Sequence, residues 1–346
     1  MSLSLRLNDW PETDRAMWSA LIAKGNPLDE EGRFAHLREA SRTKLLAGYG
    51  RWLAWLMDAD PAALAESPAD RCTLERLLRW RATMEAMRPM SRLSLIDDTL
   101  KIVMAAAPDA TWTRHLRLRK QLKRDAGNGD QSRKSGRVLS SAVLFEAGKR
   151  HATVDVLAAT TVREAMKRQR NGTIVAMLAL MPIRRRAFAQ LAIGTSLIVD
   201  NERISVVLSG DLTKTGVPWE AEVPAPASVL LRQYLTATRP WFLASGNQRH
   251  DLLWVGDHGE PFQVGHFGNK IACLTTKLTG VRVSPHLFRD SAATTLSRIS
   301  SDAARLIRPV LAHQGFGTAE RHYIHAETID AGRDYARLIN RLKRSR

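Results

Sequence analysis

A chain of 346 residues, 44% hydrophobic and 25% charged, has the composition of a folded protein and the length for two domains, each with its own core. Its 52 Lys and Arg against 35 Asp and Glu leave a net charge of +17, a field that attracts polyanions and puts nucleic acid ahead of a basic membrane surface as partner. Cys72 and Cys273 are too few for a disulfide framework or a thiolate metal site, and no apolar run approaches the ~20 residues that span a bilayer, so a cytoplasmic protein without membrane contact is expected.

Residues 1–113 carry helical periodicity. Leu45, Leu46, Tyr49, Leu53 and Leu56 recur at three- and four-residue spacings, which predicts a helix over 41–57 with one buried face. Further helices are expected over 73–87 and over 93–106, the last ending before Pro108. Six of the nine tryptophans, Trp10, Trp18, Trp52, Trp55, Trp80 and Trp112, fall in this stretch, and helical spacing favours a core role over base stacking. Between 114 and 138 the composition turns strongly basic, and 125–136 is rich in Gly, Asn, Ser and Asp without apolar period. That predicts a linker, either a solvated connection or one that tracks a phosphate backbone.

From 139 the chain reads as helical again, with an apolar helix over 173–180 that stops at Pro182. Short strands are expected over 196–199, 204–208 and 220–223, joined by turns at Asp200-Asn201 and over 213–218 into a small antiparallel sheet. Helices are expected again over 227–238 and 262–278, and the last third is almost wholly helical. The fold class is therefore mainly α with a small antiparallel β-sheet.

Ser284-Pro285 has the chemistry of a helix start, an N-cap serine followed by proline at the first helical position. It opens His286-Leu287-Phe288-Arg289, where His286 and Arg289, three residues apart, share one helix face and can reach the same small anion. Leu311-Ala312-His313 then ends a short helix that begins near Asp302. Gly315, Gly317 and Thr318 open a turn that leads to Glu320-Arg321-His322-Tyr323. This order resembles the end of the tyrosine recombinase (phage integrase) family: a His-x-x-Arg helix, a Leu-Gly-His helix end, a Thr-containing turn and a nucleophilic tyrosine. The family also has an arginine at the start of a helix just before a sheet, with apolar residues four and seven positions later. Arg184, with Phe188 and Leu191, matches it. The neighbours Arg185 and Arg186 are expected out of helical phase with the same pocket. The family's hairpin lysine corresponds to Lys214, in the turn over 213–216, with an ordinary exposed turn lysine as the alternative. Departures are Ala312 in place of the usual glycine, Pro309 within the preceding helix, and Tyr323 ten residues after His313 where nine is commoner.

The resemblance covers 139–346 in motif detail. It implies a helical DNA-clamping, core-binding domain over 1–113, a basic linker over 114–138, and a catalytic domain with a C-terminal tail helix over 139–346. It implies a site-specific recombinase or integrase of a mobile element that cuts and rejoins double-stranded DNA through a 3′-phosphotyrosyl intermediate. Tyr323 would be the nucleophile, Arg184 and Arg289 would hold the phosphate, and His286 would assist the tyrosine. Lys214 would serve as general acid and His313 as hydrogen-bond donor. No metal or cofactor is required. Expected partners are DNA, further copies in a tetrameric synapse, and companion recombinases or accessory proteins, in a bacterial cytoplasm at the nucleoid. The tail over 331–343, with Tyr335, Leu338 and Leu342 on one face, docks either on its own chain or on a neighbour. Three other readings share the charge or the chemistry: strand relaxation in the manner of a type IB topoisomerase, a non-catalytic DNA-binding accessory protein that keeps the fold, and an RNA-binding basic protein, which has only the charge in its favour.

Overall fold

The computed structural model describes residues 4–26, 28, 30–127, 136–213 and 216–311, and the chain divides into two compact units, Met1–Gln131 and Ser132–Arg346.

The first unit is helical, with α1 (Glu12–Ile22), α2 (Glu39–Ala59), α3 (Leu74–Thr83), α4 (Pro89–Ala106) and α5 (Thr113–Ala126). Helix α4 is central and packs against the other four. Its core is built on the tryptophans, as their spacing predicts. Trp10, Trp18, Trp52, Trp80 and Trp112 are buried, and Trp52 stacks on Trp55 at 5.2 Å. Beneath them lies a polar knot. Asp14, without solvent exposure, accepts from Arg71 Nη1 at 2.8 Å and from Tyr49 Oη at 2.7 Å, so a charge that would be costly alone is fully partnered.

Helix α5 corrects the expected linker over 114–138. Its first half, through Ala126, belongs to the first unit. Leu118, Leu122 and Ala126 recur every four residues and pack inward, while Arg114, Arg117, Lys120 and Arg124 stay on the exposed face. The charges dominate the composition, but three apolar residues on one stripe are enough to dock a short helix.

The second unit opens on a helical hairpin, α6 (Ser141–Leu157) and α7 (Val162–Leu180), each started by a hydroxyl cap, Ser140 on Val143 N and Thr161 on Glu164 N. The hairpin is closely packed because Gly148 and Gly172 face each other. A Cβ at Gly148 would stand 2.6 Å from Ala176 N and 2.8 Å from Gly172 O, both backbone atoms that cannot yield separately. Gly148→Ala is expected to destabilise this unit by about 3 kcal/mol, read as a lowered urea midpoint for the full chain.

Helix α8 (Arg185–Ala189) leads into β1 (Leu197–Val199), β2 (Ile204–Leu208) and β3 (Trp219–Glu222), an antiparallel sheet in the order β1-β2-β3. Leu197 pairs with Val206, and Val206 with Ala221; Ile204, Val206 and Leu208 point into the core, following the alternation of the sequence. The helix expected over 227–238 runs further: α9 (Ala225–Gln233) passes into a π turn over Tyr234–Thr238. Pro240, which lacks an N–H, is absorbed by a widened π turn closed by Arg239 N on Tyr234 O, and the chain continues as α10 (Arg239–Ser245).

Helices α11 (Val264–Thr279) and α12 (Pro285–Ile299) come next. Ser284 is the N-cap of α12 as expected, but its hydroxyl makes no capping bond; its carbonyl accepts from Leu287 N instead. Over the described residues the helix expected from Asp302 onward is two short ones, α13 (Ser301–Arg305) and α14 (Ile307–Val310), parted at Leu306; Pro309, inside α14, has no N–H to donate to Arg305 O. Among the described residues no helix is long and apolar enough to cross a membrane.

Candidate active site

Arg184 and Arg289 meet between α8 and α12. Arg184 is the N-cap residue of α8, in extended conformation after Pro182. Two apolar residues further along the chain fix its placement. Phe188 and Leu191 are without solvent exposure, Phe188 stacks on Trp254 at 5.1 Å, and the Trp254 indole donates to Phe188 O at 3.0 Å. Standing four and seven positions on, they anchor the short helix and present the arginine at its mouth. Arg184 is partly buried, makes no side-chain hydrogen bond or ion pair with a described residue, and burial holds its guanidinium below its usual proton affinity.

Arg289 is only 6% exposed. It donates from Nη1 to Pro182 O at 2.7 Å and from Nη2 to Leu311 O at 2.5 Å, bridging two segments far apart in sequence. Burial, then the neighbouring Arg184 charge, pull its pKa down to about 10, against the opposing influence of Asp290. Two guanidiniums that disfavour each other's charge, with no carboxylate between them, make a site that an anion would stabilise.

Two hollows open on this pair. The first is small and is lined by Ile183, Arg184, Leu212, Thr213, Trp219, Arg289 and Leu311 among others. The second, of about 720 Å³, is lined by Arg184, Arg185, Arg186, Arg282, His286 and Arg289 together with small residues of α11. Among the described residues no acidic side chain lines either hollow. His286 is exposed and stands one helical turn before Arg289, as their spacing predicts. A third hollow, against α6 and α7, mixes Arg150, Arg168 and Lys277 with Glu146 and Asp155, so its charges are internally compensated.

The expectation that Arg185 and Arg186 point elsewhere is overturned, since both line the larger hollow with Arg184. Helical phase relates residues inside one continuous helix, whereas Arg184 sits outside α8 as its cap. Among the described residues only Arg184 and Arg289 reach both hollows. Lys214, His313 and Tyr323 lie outside the described residues. Thr213, next to Lys214, and Leu311, two residues before His313, are described, and both line the smaller hollow. Trp219, which no motif singles out, donates from Nε1 to Pro309 O at 3.0 Å and so ties the sheet to the segment before His313. A tryptophan facing a helix end across a hairpin leaves no periodic signal in the sequence.

No family model matches the sequence, and no curated protein matches it. Solved structures do. The structure of the Tn1549 transposon integrase in complex with transposon right end DNA is similar with a TM-score of 0.54 and 14% identity, over 94% of this chain and 98% of that one. The XerH site-specific recombinase bound to palindromic difH substrate, in a post-cleavage complex, is similar with a TM-score of 0.51 and 12% identity, over 96% of this chain and 99% of that one. The chain thus has the fold of tyrosine recombinases, and the mainly α architecture with a small antiparallel sheet is borne out.

Proposed function

We propose that this chain is a site-specific tyrosine recombinase, an integrase of a mobile element that cleaves and rejoins double-stranded DNA through a 3′-phosphotyrosyl intermediate on Tyr323. The observation that carries this reading is the pair Arg184, partly buried, and Arg289, buried, which share hollows that no described acidic side chain lines, and in the larger share it with His286. A phosphodiester is anionic, and its transition state gathers charge on the equatorial oxygens. Two planar guanidiniums, already desolvated, stabilise that charge more than water does. The bound phosphate in turn offsets the burial and the Arg184 repulsion that depress Arg289.

A free phenol has a pKa near 10 and must lose its proton as it attacks. His286, exposed at the mouth of the larger hollow, takes that role. The phenolate oxygen bonds to phosphorus and the bond to the 5′ oxygen breaks. That oxygen takes a proton from Lys214, while His313 donates a hydrogen bond to the phosphate. Attack by another strand's 5′ hydroxyl reverses the step, so neither ATP nor a metal is needed. The placement of Thr213 and Leu311 on the smaller hollow supports these two roles. Met1–Gln131 serves as the DNA-clamping unit, and Ser132–Arg346 as the catalytic one, in a tetrameric synapse at the bacterial nucleoid.

The test is to incubate the full chain with fragmented genomic DNA, digest the protein, and sequence the 3′ ends that retain a phosphotyrosyl remnant. Recurrent junctions at a defined site are expected. Adducts at scattered sites with relaxation of supercoiled plasmid, or no adduct, would count against the reading. Trp219→Phe is expected to lower adduct formation by about 10-fold with duplex affinity unchanged, because it loosens the segment before His313 without removing a charge. An unchanged adduct yield would deny Trp219 that positioning role.

A further inference from the structure

The larger hollow holds more positive charge than one diester calls for. Arg184, Arg289 and His286 answer a single phosphate, yet Arg185, Arg186 and Arg282 line the same surface. Arg282 is not a loosely held surface arginine. It donates from Nη2 to Asn269 Oδ1 at 2.6 Å and from Nη1 to Cys273 Sγ at 3.4 Å. Its own carbonyl accepts from Arg137 Nη2 at 2.9 Å and Nε at 3.2 Å. The neutral acceptors orient the guanidinium, and among the described residues its charge has no carboxylate partner and three of its five N–H donors no acceptor.

Arg185 lies beside it. A Cβ on Gly268 would stand 3.0 Å from Arg185 Nη1 and 3.2 Å from its Cδ, so glycine at 268 leaves the room that Arg185 occupies. Gly268 and Asn269 are consecutive on α11, which lays two guanidiniums against the same turn of that helix. They stand on the α11 wall of the hollow, apart from the Arg289 bridge to Pro182 and Leu311.

We propose that Arg282 and Arg185 bind the backbone phosphate next to the scissile one, so that the hollow grips two successive phosphates of one strand. This rests on the reading of the site as one that cleaves DNA. A single phosphate contact leaves the strand free to pivot about it, whereas two fix the direction of the bond to be broken. Arg282 and Arg185 are therefore positioning residues that select a polynucleotide over an isolated phosphoester.

Two measurements on the full chain test it. In the first, binding of a fluorescein-labelled duplex is followed against salt. Arg282→Ala is expected to lower the slope of log K on log salt by about 1 and the affinity by about 5-fold, and Arg282→Lys to restore the slope. Gly268→Ala keeps every charge but displaces Arg185, and is expected to weaken binding by about 3-fold. In the second, a nicked duplex that traps the covalent adduct carries an uncharged methylphosphonate beside the scissile phosphate. Arg282→Ala is expected to lose about 10-fold in adduct yield on the native duplex and nothing further on the neutral one. An unchanged salt slope, or an equal penalty on both duplexes, would overturn the proposal. The slope is read without strand cleavage, so wild-type protein that binds but never forms an adduct marks failure of the phosphotyrosyl reading, and the slope still decides whether Arg282 holds a phosphate.

Discussion

Tyr323→Phe is expected to abolish the covalent DNA adduct, with a loss of more than about 10³-fold, while duplex affinity stays within about 2-fold of wild type. The change removes one oxygen and keeps the ring, so a collapse of adduct yield without loss of binding isolates the nucleophile from the clamp. The structure narrows the alternatives among the other tyrosines. Tyr49 is without solvent exposure, and its hydroxyl is committed to Asp14 at 2.7 Å. Tyr234 is equally buried, donates to Leu253 O at 2.9 Å, and is pushed up to about 12 by burial. Neither can reach a strand or lose its proton readily. That leaves Tyr323 and Tyr335, so Tyr335→Phe is the control, and it is expected to form adduct at the wild-type level. Denaturing gels of protein trapped on a nicked duplex read both variants. Adduct on Tyr323→Phe would move the chemistry elsewhere in the chain.

Arg289→Lys is expected to slow cleavage by about 10² to 10³-fold, the cost of losing one oriented donor from a buried oxyanion site. Lysine keeps the charge but cannot span Pro182 O, Leu311 O and a phosphate with a planar fork. Arg289→Ala carries a second penalty. It leaves both carbonyls without their donor, and each buried orphan costs about 1 to 3 kcal/mol, so thermal unfolding of this variant is expected to fall visibly below wild type. Duplex binding is expected to survive in both, because Arg289 is one phosphate contact among many in a chain of net charge +17. Single-turnover cleavage, gel shift and thermal melts separate these effects. Cleavage by Arg289→Lys at the wild-type rate would remove Arg289 from the site.

Much of the site was legible in local spacing. The three-residue step from His286 to Arg289 puts both on one face of α12, whereas Arg184, with the apolar residues four and seven positions on that anchor α8, was legible only through the family resemblance. The alternation Ile204, Val206, Leu208 marked β2 residue for residue. Helix α5 was not legible, because Arg and Lys outnumber the stripe of Leu118, Leu122 and Ala126, and what makes that stripe sufficient is α4 beneath it. Arg185 and Arg186 were misread for a related reason, since helical phase has meaning only inside a helix and Arg184 stands at its threshold.

The order of the chemical groups, the helices and strands that carry them, and the excess of positive charge are therefore properties of the chain alone, because each depends on neighbours within a few residues or on composition. Packing in three dimensions was needed to make Arg289 bridge Pro182 and Leu311, to lower its proton affinity beside Arg184, and to bring Arg282 to them across α11. Desolvation and Coulomb interaction depend on distance in space, and Arg289 and Pro182 are 107 residues apart along the chain.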